Sequence, residues 1–151
     1  MTVQGVAFGS RCEVVVRRFI DESEEIVGCV AWLTNRAILE SLARLERCRI
    51  VVTADTVHNR NHQAMRRVGA RQVGRARGRY RALMHHKFLV RFTSGAPTHV
   101  LMGSYNFTRR SNHNIGECIV VLQCARTARL FAEEAERVLR VSRPIRTHGT
   151  G

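Results

Sequence analysis

Two short segments carry side chains that together suit the cleavage of a phosphate diester. The first reads MHHKFLV (residues 84–90) and the second reads GSYN (residues 103–106). Side chains alternate along a strand, so His85 and Lys87 are expected to project from one face and His86 from the other. A nucleophile, a fixed cation and neutral hydrogen-bond donors such as Ser104 and Asn106 are what such a reaction requires.

The surrounding pattern indicates the elements that must position these groups. Strand-like runs cover residues 3–8, 26–32, 49–54, 84–92, 99–102 and 115–122, and amphipathic helical spacing covers 11–22, 61–68 and 127–140. Another helix is expected after Asn35, a residue typical of the N-cap. Alternating strands and helices predict an α/β fold, a mixed, largely parallel β-sheet flanked by helices on both faces. Active sites in open sheets of this kind lie at the strand ends.

Length and composition indicate one globular domain. The chain has 151 residues, 44% of them hydrophobic and 25% charged, which is ordinary for a folded protein. We expect a single domain over residues 1–141 and a flexible C-terminal tail over 142–151. No stretch approaches the roughly 20 apolar residues of a membrane span, so no stable membrane insertion is expected. The N-terminal residues lack the features of a signal peptide, which favours a cytoplasmic location.

The charge predicts a polyanionic partner. The formal net charge is +13 at pH 7, and a basic surface attracts nucleic acid, DNA or RNA, through its phosphates. Solubility alone would also account for this charge, and an anionic membrane surface would be attracted too. Lys87 is the only lysine among 25 cationic side chains. This suggests a site that needs a compact ammonium, although codon usage would also explain it.

Basic residues near the two segments are candidates for substrate binding. The stretch QVGRARGRYRA (residues 72–82) supplies Arg77, Arg79 and Tyr80, and it is typical of a loop that contacts a phosphate backbone. A solvated connector is the alternative. Arg109 and Arg110 follow the GSYN segment and are expected to bind substrate beside it.

Taken together, the two segments resemble the phospholipase D superfamily, in particular its small single-motif nucleases. The signature of that superfamily is HxK, then four residues and an aspartate, with GSxN downstream. His85 and Lys87 supply HxK, and Ser104 and Asn106 supply the polar residues of GSxN. The signature's aspartate falls at Phe92, which strand alternation places on the face opposite His85.

The resemblance implies a role for each site residue. His85 would attack phosphorus and form a phosphohistidine, while Lys87 and Asn106 would hold the nonbridging oxygens. Ser104 would hydrogen-bond the phosphate or orient a neighbour. Glu117 would accept a proton from a histidine, although a surface carboxylate is the alternative for that position.

One histidine cannot both attack phosphorus and protonate the leaving oxygen. Family members with two motifs pair them in one chain, so the resemblance implies a C2 homodimer here, in which His85 of each subunit meets the other across the axis. Two such rings would titrate as a coupled pair, and a bell-shaped pH–rate profile is expected. The predicted activity is a metal-independent phosphodiesterase acting on DNA or RNA.

Two other functions remain open, a phospholipid hydrolase and a catalytically silent nucleic-acid-binding protein. No cofactor or metal is expected. His58 and His62 have helical spacing but lack the glutamate of a zinc motif, so a helix start or a nucleic-acid contact is favoured over a metal. The five cysteines include no CxxC pair, which disfavours a disulfide framework or a structural zinc.

Overall fold

The computed structural model describes residues 1–75, 79 and 81–147, which form one eight-stranded sheet with helices on both faces. The strands are β1 (Thr2–Phe8), β2 (Glu25–Val30), β3 (Arg47–Thr53), β4 (Ala70–Val73), β5 (Lys87–Thr93), β6 (Ala96–Gly103), β7 (Cys118–Gln123) and β8 (Arg143–Pro144). The helices are α1 (Arg11–Asp21), α2 (Arg36–Ala43), α3 (Thr56–Arg60), α4 (His62–Arg67) and α5 (Ala125–Arg140), and a 3₁₀ turn spans Arg110–His113. No described helix is both long and apolar enough to cross a lipid bilayer.

The strand order is β1-β7-β6-β5-β2-β3-β4-β8. β3 pairs in parallel with β2 and β4, whereas the other five neighbouring pairs of described strands are antiparallel. The predicted mixed α/β sheet is confirmed, but the expectation that most of it is parallel is wrong. Parallel neighbours need a crossover of a dozen or more residues, and β5 and β6 are joined by Ser94 and Gly95 alone, both at positive φ.

The sheet separates two apolar clusters, as predicted for helices on both faces. Alternation along β2 sends Ile26 and Val30 into the cluster that contains α1 and α2. It sends Val27 and Cys29 into the cluster that contains α5. Strand β2 is buried from Ile26 to Val30 because helices cover both of its faces, and this explains the continuous apolar sequence of these residues.

Local sequence accounts for the helix positions. Asn35 caps α2, since its side-chain oxygen accepts a hydrogen bond from the Ile38 amide at 3.2 Å, and the cap predicted there is confirmed. Helix α5 buries a stripe at helical spacing that begins at Ala128 and ends at Val138. Its alanines allow the helix backbone to approach the sheet closely.

Several boundaries differ from the predicted ones. β5 begins at Lys87 rather than at residue 84, and β4 was not predicted. The predicted tail does not begin at 142, because β8 pairs with β4 and the Ile145 side chain is only 5% exposed. A two-residue strand is determined by its pairing partner and by one buried side chain, so no local periodicity reveals it.

Candidate active site

The His85 and Lys87 side chains meet at the start of β5. Lys87 Nζ lies 3.2 Å from Nδ1 and 3.1 Å from Nε2 of His85, and it donates a hydrogen bond to the His85 carbonyl at 2.9 Å. Lys87 is the first residue of the strand and is half-buried, whereas His85 precedes the strand and is exposed. The ammonium is therefore held beside an imidazole that solvent can reach.

The environment of His85 favours its neutral form. Burial lowers the pKa of the imidazole below its ordinary value of 6.5, and the neighbouring Lys87 and His86 lower it further. Burial also lowers the pKa of the Lys87 ammonium, while the Glu117 carboxylate raises it. At pH 7 the His85 ring thus has a free nitrogen lone pair, which a nucleophile needs.

Ser104 directly follows β6 and is hydrogen-bonded to the start of β7. Its Oγ donates to Glu117 Oε2 at 2.7 Å and accepts from the Cys118 amide at 3.0 Å. Its own amide donates to the Cys118 carbonyl at 3.0 Å. Gly103 makes this approach possible, because a Cβ there would lie 2.0 Å from the Cys118 carbonyl oxygen.

Among the described residues, the Glu117 carboxylate is hydrogen-bonded by polar side chains and not by a histidine. Asn114 Nδ2 donates to Oε1 at 2.9 Å, and Ser104 occupies Oε2. The predicted contact between Glu117 and a histidine is therefore not formed within one chain, where the His85 ring is engaged by Lys87. Glu117 is half-buried, and both of its carboxylate oxygens accept hydrogen bonds from side chains.

Backbone hydrogen bonds join the loop after β2 to the loop after β6. The Phe107 amide donates to the Trp32 carbonyl at 3.0 Å, and the Thr34 amide donates to the Phe107 carbonyl at 2.9 Å. These bonds bring Asn106 to the strand end that also carries His85. The Asn106 Oδ1 atom is buried and accepts no hydrogen bond from the described residues. The side-chain amide nitrogen of Asn106 is therefore the atom that could donate a hydrogen bond to a substrate.

Trp32 belongs to the site and was not predicted. Its ring centroid lies 5.7 Å from that of His85, with the ring planes 80° apart. Its Nε1 donates to Asp55 Oδ2 at 3.3 Å. The pKa of the Asp55 carboxyl is lowered mainly by the Val57 amide, with a smaller contribution from Trp32. A lone tryptophan at the end of the continuous apolar run 26–32 was the signal that could have identified it.

His86 projects to the opposite face of the sheet, as strand alternation predicts. Its Nε2 lies 2.8 Å from Glu134 Oε1 on α5, and Arg137 donates to both oxygens of the same carboxylate, at 2.7 and 2.8 Å. The Arg137 guanidinium is the main reason that the pKa of Glu134 falls to about 2. Phe92 also packs on the α5 side, which confirms that it faces away from His85.

The predicted basic residues have different outcomes. Arg110 lines a cleft together with Trp32 and Asn106, and Arg109 is exposed beside it. Arg79 is exposed, whereas Arg77 and Tyr80 lie outside the described residues.

His58 is a core residue. It is fully buried, with Nδ1 2.8 Å from the Thr53 carbonyl and Nε2 accepting from the Leu33 amide at 3.1 Å. Of the two alternatives predicted for His58, a helix start or a nucleic-acid contact, the second is excluded, because the ring is enclosed and both nitrogens are used, and His58 lies in the short helix α3. In the described part of the chain, no group of three or more His, Cys, Asp or Glu is arranged to hold a metal ion.

Comparison with known proteins gives relatives for this arrangement. No curated protein sequence matches the chain. Nuc from Salmonella typhimurium, a phospholipase D family member, has a similar structure, with a TM-score of 0.73 and 19% identity over 97% of this chain and 99% of that one. NucT from Helicobacter pylori has a TM-score of 0.68 and 14% identity over 93% of this chain and 94% of its own.

A third structure and a family model extend the comparison. The archaeal chromatin protein TrmBL2 has a TM-score of 0.59 and 12% identity, over 93% of this chain and 53% of TrmBL2. The model of the family described as "Cardiolipin synthase, PLD-like domain" matches residues 16–139, which include the HxK and GSxN segments. The chain therefore belongs to the phospholipase D-like family.

Proposed function

We propose that this protein is a phosphodiesterase that cleaves DNA or RNA without a metal ion, through a phosphohistidine at His85, and that it acts as a homodimer. The observation that carries the proposal is the contact of Lys87 Nζ with the His85 ring at 3.1 and 3.2 Å. A neutral imidazole beside a fixed ammonium combines a nucleophile with a group that binds phosphate oxygens.

The first chemical step transfers the phosphoryl group to the protein. A ring nitrogen of His85 attacks phosphorus, a P–N bond forms, and the P–O bond to the leaving alcohol breaks. Lys87 and the Asn106 amide nitrogen hold the nonbridging oxygens, where charge accumulates in the transition state. The leaving oxygen takes a proton from the protonated His85 ring of a second copy, which thereby becomes neutral.

The second step releases the product. The neutral imidazole of the second copy takes a proton from water, the water oxygen attacks phosphorus, and the P–N bond breaks. The products are a phosphate monoester and a free His85. One imidazole thus acts as the nucleophile and then as the leaving group, and the other acts as the acid and then as the base. The reaction needs the first ring neutral and the second protonated, which gives the bell-shaped pH–rate profile expected of a pair.

An apolar surface supports the homodimer. Val6 and Phe8 on β1 are 56% and 67% exposed. They line a groove of about 500 Å³ that also reaches Phe131, Gly103 and the catalytic Lys87. Burial of exposed apolar side chains favours association. The groove also includes His86 and lies on the α5 face, so a second copy on it would lie next to the strand end that carries Lys87.

Charge supports nucleic acid as the substrate. The net charge of +13 attracts phosphates without reading sequence, and Arg109 and Arg110 are exposed next to the site. TrmBL2, which has a similar fold, is described as showing a novel mode of DNA binding.

A phospholipid is the second candidate substrate. Ile115 is fully exposed two residues before Glu117, and the matching family is described by the name cardiolipin synthase. An exposed apolar side chain beside the site is what a lipid acyl chain would contact. Assays with nucleic acid and with phospholipid vesicles distinguish the two substrate classes.

The test compares wild-type protein with His85→Ala and Lys87→Ala on plasmid DNA, single-stranded DNA, RNA and vesicles of anionic phospholipid, all in excess EDTA. His99→Gln is the matched control, because His99 lies on β6 at the end opposite Gly103. We expect nucleic-acid cleavage by the wild type and the control and its loss in both site variants. Turnover of lipid alone would favour the second candidate, and binding without turnover would indicate a silent relative.

Two further measurements test the intermediate and the assembly. Acid-labile, alkali-stable label on the protein after reaction with labelled substrate is expected for a P–N bond at His85. Sedimentation is expected to give a dimer of 17.2 kDa chains. A fully active monomer would contradict the pairing of two His85 rings.

A further inference from the structure

We infer that the cleft lined by Trp32, Val57 and Arg110 binds one unpaired nucleobase of the substrate next to the phosphate at His85, so that single-stranded nucleic acid is the preferred substrate. This inference rests on the proposed phosphodiesterase function and adds the place where a base is held. The cleft has a volume of about 550 Å³, which lies in the range of small-molecule binding sites.

The chemistry of the walls suits a nucleobase. Trp32 and Val57 supply aromatic and aliphatic surface, and Thr34, Thr108 and Asn114 supply hydroxyl and amide groups. A flat heterocycle with polar edges needs both kinds of surface, one for its faces and one for its rim. A lipid acyl chain has no use for the polar groups. Base stacking on an aromatic side chain is also a sequence-tolerant source of affinity.

The cleft adjoins the proposed reaction centre through Asn106 and Trp32, although His85 and Lys87 are not among its lining residues. Asn106 lines the cleft and is also the proposed phosphate ligand, and the Trp32 and His85 ring centroids are 5.7 Å apart. Only one sugar separates a nucleobase from its own phosphate. A base held against Trp32 therefore presents a neighbouring phosphate to His85, while Arg110 at the cleft is available to the next phosphate along the strand.

Trp32 is held in place before substrate arrives. Its carbonyl accepts from the Phe107 amide at 3.0 Å, and its indole nitrogen donates to Asp55 at 3.3 Å. The next residue, Leu33, donates its amide to the buried His58 at 3.1 Å. A side chain that is already ordered loses little conformational freedom on binding, which favours affinity.

Strand preference follows from the geometry of duplexes. In a double helix each base is stacked on both faces and paired along one edge, so it reaches a side cleft only after being flipped out. An unpaired base has no such barrier. A cleft that requires a free base therefore favours single strands, whereas a groove that reads phosphates alone would accept both forms.

Trp32 is the single tryptophan of the chain, so its fluorescence reports directly on the cleft. The inactive variant His85→Asn is titrated with a single-stranded oligodeoxynucleotide, with the duplex, and with an oligomer of equal length whose sugars carry no bases. We expect saturable quenching by the single strand. The base-free oligomer is expected to bind about 5- to 100-fold more weakly, as loss of one stacked base implies, and to cause no quenching. Equal affinity and equal quenching by the base-free oligomer would overturn the inference.

Kinetics separate this inference from the proposed function. Trp32→Ala is expected to raise KM for the single strand about 5- to 100-fold more than it raises KM for the base-free oligomer, and Trp32→Phe is expected to restore much of the loss. Equal losses on both oligomers would mean that Trp32 acts only through His85, and the base cleft would be wrong. Wild-type protein that cleaves no nucleic acid would instead refute the proposed function, while fluorescence would still test the cleft.

Discussion

Substitution of Gly103 by alanine tests how the reaction centre is assembled. The new Cβ would lie 2.0 Å from the Cys118 carbonyl oxygen and 2.9 Å from Ile119 Cα. Both neighbours are backbone atoms of β7, so no side chain can swing away to make room. Contact between nonbonded carbon atoms is favourable only at about 3.5–4.0 Å, so the ends of β6 and β7 must separate by roughly 1.5 Å.

The cost follows from what that separation breaks. Overpacking costs about 1–3 kcal/mol, and the hydrogen bonds between Ser104 and Cys118 contribute about 1 kcal/mol each. Because the clash lies at the end of both strands, part of the strain is relieved by local splaying. We therefore expect a total loss of about 3 kcal/mol, which corresponds to a fall in Tm of roughly 6–12 °C for a chain of this size.

The rate of diester cleavage by Gly103→Ala is also expected to fall, even at temperatures where the variant is fully folded. Splaying displaces Ser104 and Glu117, and misplacement of about 1 Å costs about 100-fold in rate. Gly5→Ala is the matched control, because Gly5 is also in a strand and a Cβ there meets nothing within 4 Å. Thermal unfolding followed by circular dichroism and diester cleavage measured below the transition provide the comparison. If Gly103→Ala matched Gly5→Ala in both measurements, the close approach of β6 to β7 would not position the site.

Three other perturbations test separate parts of the molecule. Lys87→Arg is expected to lower kcat about 100-fold or more, because a planar guanidinium cannot replace a compact ammonium against the His85 ring; unchanged kcat in steady-state assays would contradict this. The pKa of Glu134 is depressed to about 2. The contribution of this carboxylate to the free energy of unfolding is therefore complete above pH 4.5 and is lost as pH falls from 4.5 toward 2. After screening by solvent the contribution is on the order of 1 kcal/mol, and urea unfolding of Glu134→Gln should show a smaller loss of stability between pH 5 and 3. Burial lowers the pKa of His58 in the folded protein. The unfolded chain therefore binds a proton at this histidine at a higher pH than the folded protein does, and the free energy of unfolding falls as pH drops below 6.5. His58→Gln should flatten that dependence between pH 7.5 and 5, and an unchanged slope would show that another group is responsible.

The faces on which the candidate site residues lie were largely predictable from the sequence. The spacing of two residues brings the His85 and Lys87 side chains together, although His85 precedes β5, and it sends His86 and Phe92 to the other face. These predictions hold because strand alternation is a local property of the backbone. The GSYN segment was likewise identifiable, since its residue types are a functional signature that depends on no distant contact.

The partners of these residues were not predictable in the same way. Glu117 is bound by Ser104 and Asn114 rather than by a histidine. Trp32 reaches the site because the loops after β2 and β6 pair through Phe107. Each of these contacts joins residues whose relative position depends on how the whole sheet is ordered, and no short pattern records that order.

Sequence alone determined which side chains are available to the site and which face each occupies, namely the Lys87 ammonium and the His85 imidazole beside it. It also determined the helices and strands, through the period of their hydrophobic residues. Tertiary structure alone decided that β5, β6 and β7 run antiparallel, that β8 completes the far edge, and that a cleft opens beside Trp32. The physical reason is that side-chain periodicity arises within a few residues. The choice of strand neighbour, by contrast, depends on pairings between residues far apart in the sequence. The order that forms is the one that buries both faces of the sheet at once.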